Sequence, residues 1–318
     1  MRTERQITVA APAKINLFLD VVKKRADGYH DIETIFAKIS LSDSVTVRVS
    51  RKCRGVELKL VNKSGCRLSA GADNLAVKAA QLFLEEFSLN AGIRIKLVKR
   101  IPIGAGLGGG SSDGAAVLRA LRQLFPDAVQ GKAGERRLMR LALKLGSDVP
   151  FFLQGAPFCA GRGRGEKLKP FTPSGRLPYV ALFYPGVAVS TAEVYRRLDL
   201  TKTLLTPHEN LNKFKSKLVQ GMGPTDWGRF LYNSLESVVL PLCPAVKSLV
   251  KQLQKAGDYP VLMTGSGSCV FALIPQQKIA PALLGKLRGV RGFAERFLGE
   301  LGYGHNGDTR APDERGKA

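Results

Sequence analysis

Lys14 and Asn16 stand two residues apart in an otherwise apolar, strand-like run, Ala11-Pro12-Ala13-Lys14-Ile15-Asn16-Leu17-Phe18-Leu19. In an extended chain their side chains leave the same face. A lysine there is costly to bury unless it is paired or works on a ligand, although an edge strand would expose it harmlessly. Asp148 follows Gly146 and Ser147 and precedes the apolar Val149-Pro150-Phe151-Phe152-Leu153, which argues for partial burial; its alternative role is to cap the turn before Pro150. As a pair the two suit phosphoryl transfer. The aspartate would accept the proton of an attacking hydroxyl, while the lysine polarises that hydroxyl and offsets charge on a γ-phosphate.

A phosphate cradle is legible in Pro102-Ile103-Gly104-Ala105-Gly106-Leu107-Gly108-Gly109-Gly110-Ser111-Ser112-Asp113-Gly114, which carries six glycines and two serines. Glycine permits positive φ and lets backbone N–H groups approach an oxyanion with no Cβ in the way. Ser111, Ser112 and Asp113 fall where a helix N-cap is expected, so unpaired amides and the positive end of the helix dipole would face the loop. Two familiar nucleotide loops do not fit. No lysine follows the glycines, as a GxxxxGK[ST] loop requires, and the region PDAVQGKAGERR replaces the second apolar strand of a dinucleotide fold. A flexible linker is the plainer alternative, but linkers are rarely bracketed so closely by regular elements.

Those elements must hold the loop. Upstream, Ile93, Ile95 and Leu97 alternate with Arg94, Lys96 and Val98, the period of a half-buried strand. Downstream, Val117, Leu118, Leu121, Leu124 and Phe125 recur at helical spacing until Pro126. Short apolar runs over residues 7 to 49 predict strands joined by turns. Asp73-Asn74 precedes a helix through Leu75, Ala79, Leu82 and Phe83, and Leu138 to Leu145 forms another, closed by Gly146. A passage rich in Gly, Arg and Pro from Gly155 to Pro178 marks a domain boundary. Beyond it the pattern predicts a strand at Tyr179 to Tyr184 and helices around Phe230 to Val239 and Ala245 to Leu253. Val261 to Leu273 reads as two apolar runs around Thr264-Gly265-Ser266-Gly267-Ser268, either a plain hairpin turn or a second polar wall facing the phosphates.

Of 318 residues, 44% are apolar and 24% charged, a soluble globular balance with length for two domains. Lys14, Asn16 and Asp20 interrupt any leader-like apolar run, so an unprocessed intracellular chain is expected. The five cysteines form no CxxC pair and are expected to be reduced, with no metal implied. The formal net charge of +23 raises nucleic-acid binding. Arg137, Arg140 and Lys144 are accounted for by the solvated face of a helix whose other face carries Leu138, Leu141 and Leu145. Arg162 and Arg164 in GRGRGE have the look of an RNA-binding arginine-glycine segment, but one short instance is a poor signal.

Five segments in order, PAKINLFL at Pro12 to Leu19, ADGYH at Ala26 to His30, PIGAGLGGGSSDGAAVLRAL at Pro102 to Leu121, GSDVPFFL at Gly146 to Leu153 and TGSGSCVFA at Thr264 to Ala272, resemble the motif set of the GHMP kinase superfamily. The resemblance implies a two-domain α+β fold around a central cleft. An ATP-binding N-terminal domain would span residues 1–157 and a C-terminal substrate domain residues 158–303, with a disordered tail at 304–318. AKINLFL together with DGYH is similar to the members whose acceptor is the 2-hydroxyl of 4-diphosphocytidyl-2-C-methyl-D-erythritol, in the non-mevalonate route to isoprenoid precursors. ATP and Mg2+ are the implied cofactors. A cytoplasmic monomer or homodimer is implied, with neither membrane nor specific nucleic-acid partner; another small-molecule kinase of the superfamily, or a basic nucleic-acid-binding protein, is the alternative.

By the same resemblance, Lys14 and Asp148 match the catalytic pair and Pro102 to Ser112 the ATP phosphate loop. Asn74 and Lys99 match positions near the adenine, and Asn16 and Thr191 positions at the methylerythritol end. Tyr29 and Tyr195 would sandwich the cytosine, with His30 hydrogen-bonding its edge. The chain departs from the family pattern with Tyr195 where phenylalanine is common, Asp113 for asparagine and Ser147 for alanine. Asp113 would place a further negative charge near the phosphates. No acidic cluster marks a magnesium ligand.

Overall fold

The alternation between residues 7 and 49 is drawn out into two long strands, β1 (Gln6–Lys24) and β2 (His30–Ser50), which form an antiparallel hairpin. The computed structural model describes residues 5–50, 54–66, 68–71, 73–200, 210–287 and 289–299. The tail expected at 304–318 lies outside the described residues. From Ala11 to Leu19, β1 is buried on both faces because it supplies residues to three apolar clusters in succession. The ladder between β1 and β2 shifts register between Pro12 and Lys14 and again between Asn16 and Phe18. These irregularities re-aim the residues they bracket.

β3 (Val56–Asn62), β4 (Gly92–Lys99), β2, β1 and the short β8 (Tyr232–Asn233) run in that order, with β3 parallel to β4 and β8 parallel to β1. β5 (Phe158–Arg162) also pairs with β2, and β6 (Lys167–Pro170) with β5. Helices α1 (Leu75–Glu86), α2 (Gly109–Leu124), α3 (Gly131–Leu145) and α4 (Val149–Leu153) bury their apolar stripes with this sheet. Leu138 and Leu141 of α3 are buried there, while Arg137 turns outward to Glu86.

A second, antiparallel sheet has the order β11 (Arg291–Arg296), β7 (Tyr179–Tyr184), β10 (Val270–Ile274), β9 (Val261–Met263). It carries α5 (Thr191–Arg197), α7 (Glu236–Leu242), α8 (Pro244–Ala256) and α9 (Ile279–Gly285), while α6 (Leu211–Gln220) joins the middle cluster. That cluster joins residues of β1 and β2 to residues of β7 and β10, so one apolar core runs between the sheets.

Two elements differ from the sequence expectation. The helix expected over Phe230 to Val239 begins only at Glu236, because Tyr232 and Asn233 pair with Phe18 and Leu19 of β1. The amide of Asn233 is also spent on the carbonyls of Met263 and Gly265, at 2.8 Å each. Tertiary partners outbid the local period. Secondly, α2 starts at Gly109 and its N-cap is Gly108 in the left-handed region, with no side-chain cap. Ser111, Ser112 and Asp113 therefore lie inside the first turns. The reason is that Gly108, at φ 66°, can turn the chain into the helix without a capping side chain.

Candidate active site

Lys14 owes its position to the irregular ladder. Its N–H leaves the β2 ladder and donates to Leu107 O at 3.0 Å, which ties β1 to the glycine loop. Its ammonium is buried and donates to Asn16 Oδ1 at 2.6 Å, so the two share one face as the spacing predicts. Asn16 is held in turn by Thr34 Oγ1, which accepts from its amide, and by Thr264 Oγ1, which accepts from its N–H. Across the gap, Asp148 Oδ2 lies 3.9 Å from Lys14 Nζ. Asp148 occupies the N-cap position of α4 but makes no capping hydrogen bond, and 31% of its side chain is exposed. Its carboxylate is available to the cleft. Burial lowers the Lys14 pKa, and the Asp148 charge pulls it back up in part.

The glycine loop wraps over this pair. Gly104, Gly106 and Gly108 all take positive φ. Gly106 is the tightest: a Cβ there would come 2.1 Å from Thr264 O. The loop also accepts from Cys269 N–H at Ala105 O, so it packs against the turn joining β9 to β10. That turn is both a hairpin and a wall of the cleft, which Gly265 and Ser266 line. Ser112 N–H makes the first intrahelical bond of α2, to Gly108 O. The N–H groups of Gly109, Gly110 and Ser111 precede it, and these three residues line the cleft at the positive end of a 16-residue helix.

One cleft of about 1000 Å³ collects the expected residues. Lys14, Asn16, Tyr29, His30, Asn74, Lys99, Pro102 to Ser111, Asp148, Thr191 and Tyr195 line it; Ser112 alone does not, its hydroxyl being buried in α2 without a partner. Asn74 caps α1, accepting from Ala76 N–H at 3.0 Å. Thr191 Oγ1 is 2.7 Å from Ser266 Oγ. The rings of His30 and Tyr195 lie 5.2 Å apart, and Tyr29 is half exposed. Burial, with a contribution from Lys24, lowers the His30 pKa, which favours a neutral ring offering one donor and one acceptor.

Lys99 is not a free cation. Its ammonium is buried between Asp43 Oδ2 at 2.6 Å and Asp113 Oδ2 at 2.7 Å. Burial, opposed by Lys99, pushes the Asp113 carboxyl up to about 8. Two carboxylates on one ammonium would leave a surplus negative charge out of water, so Asp113 retains a proton well above the usual carboxylate range. Asp43 also accepts from the N–H groups of Arg100 and Ile101 and fixes the chain entering the glycine loop. Asp113 thus faces Lys99 within a clasp beneath the loop, and the added negative charge expected near the phosphates is offset there. Asp43 was not singled out in the sequence, where the only signal is a lone acid among the serines of an alternating strand.

Arg164, which the sequence suggests only as part of a weak RNA-binding segment, belongs to the cleft. Its guanidinium centre lies 3.6 Å from the Tyr29 ring centroid, and Nε and Nη2 donate to Ser147 Oγ at 3.3 and 3.1 Å. Arg162 pairs with Glu33 at 3.0 Å. Both arginines of GRGRGE are therefore engaged by the fold, and Arg164 lines the cleft. Among the described residues no group of three metal-ligating side chains occurs, and no helix is long and apolar enough to cross a membrane.

Comparison with known proteins places the chain in a family. Residues 74–156 match the model of the GHMP kinases N terminal domain, and residues 217–289 that of the GHMP kinases C terminal domain. A 4-diphosphocytidyl-2-C-methyl-D-erythritol kinase of Macrococcus caseolyticus is 37% identical over 88% of this chain and 94% of its own length. The chain belongs to the 4-diphosphocytidyl-2-C-methyl-D-erythritol kinase family. The enzyme of the same name from Pelotomaculum thermopropionicum is 40% identical over 89% of this chain and 94% of its own. A crystal structure of 4-(cytidine 5'-diphospho)-2C-methyl-D-erythritol kinase superposes with a TM-score of 0.73 at 37% identity, covering 92% of this chain and all of that one. The two-domain α+β GHMP kinase fold expected from the sequence is therefore the fold of this protein.

Proposed function

We propose that this protein transfers the γ-phosphoryl group of ATP to the 2-hydroxyl of 4-diphosphocytidyl-2-C-methyl-D-erythritol, a step on the non-mevalonate route to isoprenoid precursors, in the cytoplasm. The observation that carries this reading is convergence: Lys14 opposes Asp148 where the glycine loop meets the Tyr29, His30 and Tyr195 group. The division at residues 1–157 and 158–303 separates a nucleotide part from an acceptor part only loosely, because β5, β6 and β8 complete the sheet of the first part and the β1–β2 hairpin contributes Tyr29 and His30 to the acceptor end.

The phosphates of ATP rest on the unpaired amides at the start of α2 and in the glycine loop, where the helix dipole favours negative charge. Asn74 borders the adenine end, and Lys99 braces the loop there from below. Asn16 and Thr191 hold the methylerythritol end of the acceptor. Its cytosine lies between Tyr29 and Tyr195, with His30 on its edge. The acceptor hydroxyl gives its proton to Asp148 as it attacks, and the Lys14 ammonium, held by Asn16, stabilises the charge that develops between hydroxyl and γ-phosphate. A magnesium ion carried in with ATP would offset negative charge on its phosphates. Asp148 borders the cleft with solvent contact, which suits an ion that would take most of its oxygens from phosphate and water.

Purified protein with ATP, magnesium and the cytidine diphosphate acceptor tests the assignment, with product identified by mass and by phosphorus NMR. The wild type turns over, while Asp148→Asn and Lys14→Ala each lose about 10²- to 10⁴-fold in kcat. No turnover of this acceptor overturns the assignment, with mevalonate and homoserine as comparison acceptors. Unimpaired Asp148→Asn overturns the role of the aspartate.

A further inference from the structure

Arg164 sits in the turn between β5 and β6, flanked by Gly163 and Gly165, both at positive φ. The turn is pinned. Gly163 O accepts from Ile32 N–H at 2.6 Å, Gly165 N–H donates to Arg162 O, and Arg164 N–H donates to Glu166 Oε2 at 2.6 Å. Its backbone is thus fastened to β2 two residues beyond His30, and its side chain lies flat over Tyr29 with one edge on Ser147.

Three other cations around the cleft are matched by carboxylates, whereas Lys24 lines the cleft beside His30 as an exposed side chain on the end of β1. Lys14 faces Asp148, Lys99 is held by Asp43 and Asp113, and Arg196 pairs with Glu193. Asp27 accepts from Arg25 and from Tyr29 N–H, and its hydrogen bonds are made with these rather than with Arg164. Among the described residues Arg164 has a ring and a hydroxyl as side-chain contacts and no carboxylate within ion-pair distance, although it feels the Asp27 charge, and Nη1 makes no hydrogen bond within the protein. A planar guanidinium is suited to this double task, since its face stacks on an aromatic ring while its edge addresses phosphate oxygens.

We propose that Arg164 is a specificity-determining residue for the acceptor: stacked on Tyr29 and anchored by Ser147, it presents Nη1 to the diphosphate of the cytidine nucleotide. The proposal rests on the acceptor named above. It assigns Ser147, where the family pattern has alanine, as the positioning hydroxyl that orients the guanidinium beside Asp148.

Calorimetric titration with CDP and with cytidine, alongside steady-state kinetics, separates the parts. Wild type binds CDP about tenfold or more tighter than cytidine. Arg164→Gln removes most of that difference and raises KM for the acceptor about tenfold, with kcat and KM for ATP within about twofold. Arg164→Lys restores part of the preference for CDP, and Ser147→Ala falls between wild type and Arg164→Gln. An unchanged CDP preference in Arg164→Gln overturns the assignment, as does an equal rise in KM for ATP. Should Arg164→Gln fail to fold, Arg164→Lys and Ser147→Ala decide by the same two readouts. Failure of the wild type to phosphorylate the acceptor removes the functional assignment instead, and the CDP titrations still decide Arg164.

Discussion

Lys14 is buried as a cation, and the cost shows in its lowered pKa. Its hydrogen bond to Asn16 and the Asp148 charge repay part of that cost. A lysine whose charged form is disfavoured gives up its proton at lower pH than usual. Activity that needs the ammonium is therefore complete below the lowered pKa and lost as pH rises through it. The expected kcat/KM profile has an alkaline limb below the ordinary lysine value, near 10.4, and Lys14→Arg, which stays charged, removes the limb while lowering the plateau. A limb unmoved by Lys14→Arg would assign it to another group. At this scale the sequence was informative: a lysine and an asparagine on one face of an apolar strand are costly unless they work. It was uninformative for Arg164, because a glycine-flanked arginine reads alike whether it meets RNA or a tyrosine.

At the scale of elements, the site depends on how β4 hands the chain to α2. The clasp of Lys99 with Asp43 and Asp113 joins the end of β4, β2 and the first turns of α2. Asp113 has its folded pKa raised to about 8, above an unfolded value near 3.9. The folded state then holds more protons than the unfolded one between about pH 4 and 8, and stability falls as pH rises across that window. Asp113→Asn removes the titration. Its melting temperature relative to wild type is expected to rise on going from pH 6 to pH 9, and a difference independent of pH would show that Asp113 is ionised throughout. Gly106→Ala tests the other contact, since its Cβ would collide with Thr264 O on the opposing turn at a φ of +77°. A loss of about 1–3 kcal/mol in denaturant unfolding is expected, together with a KM for ATP raised about tenfold. Wild-type stability in Gly106→Ala would mean that loop and turn separate freely.

For the whole molecule, the ends of the cleft proposed for nucleotide and acceptor draw on different elements. The glycine loop and α2 border one, and the β1–β2 hairpin, α5 and the β5–β6 turn border the other. ADP and CDP should therefore each raise the melting temperature, and their effects should add. Saturation at a hundredfold over Kd gives about 2.7 kcal/mol per ligand. Competition between ADP and CDP in thermal scans would place both at one end of the cleft.

The sequence by itself determined the strand, glycine loop and helix, the shared face of Lys14 and Asn16, the partial burial of Asp148 and the α+β character. Periodicity, glycine torsions and the cost of buried charge are local rules, and local rules are written in neighbouring residues. The helix expected at Phe230 and the cap expected at Ser111 failed where a distant partner or a left-handed glycine replaced the local preference. Only the tertiary structure decided that Asn16 meets Thr264, 248 residues away. It likewise brought Asp148 to Lys14, closed two carboxylates on Lys99 and laid Arg164 on Tyr29. Such pairs depend on strand register and on the packing of two sheets around β1, and residue spacing encodes neither.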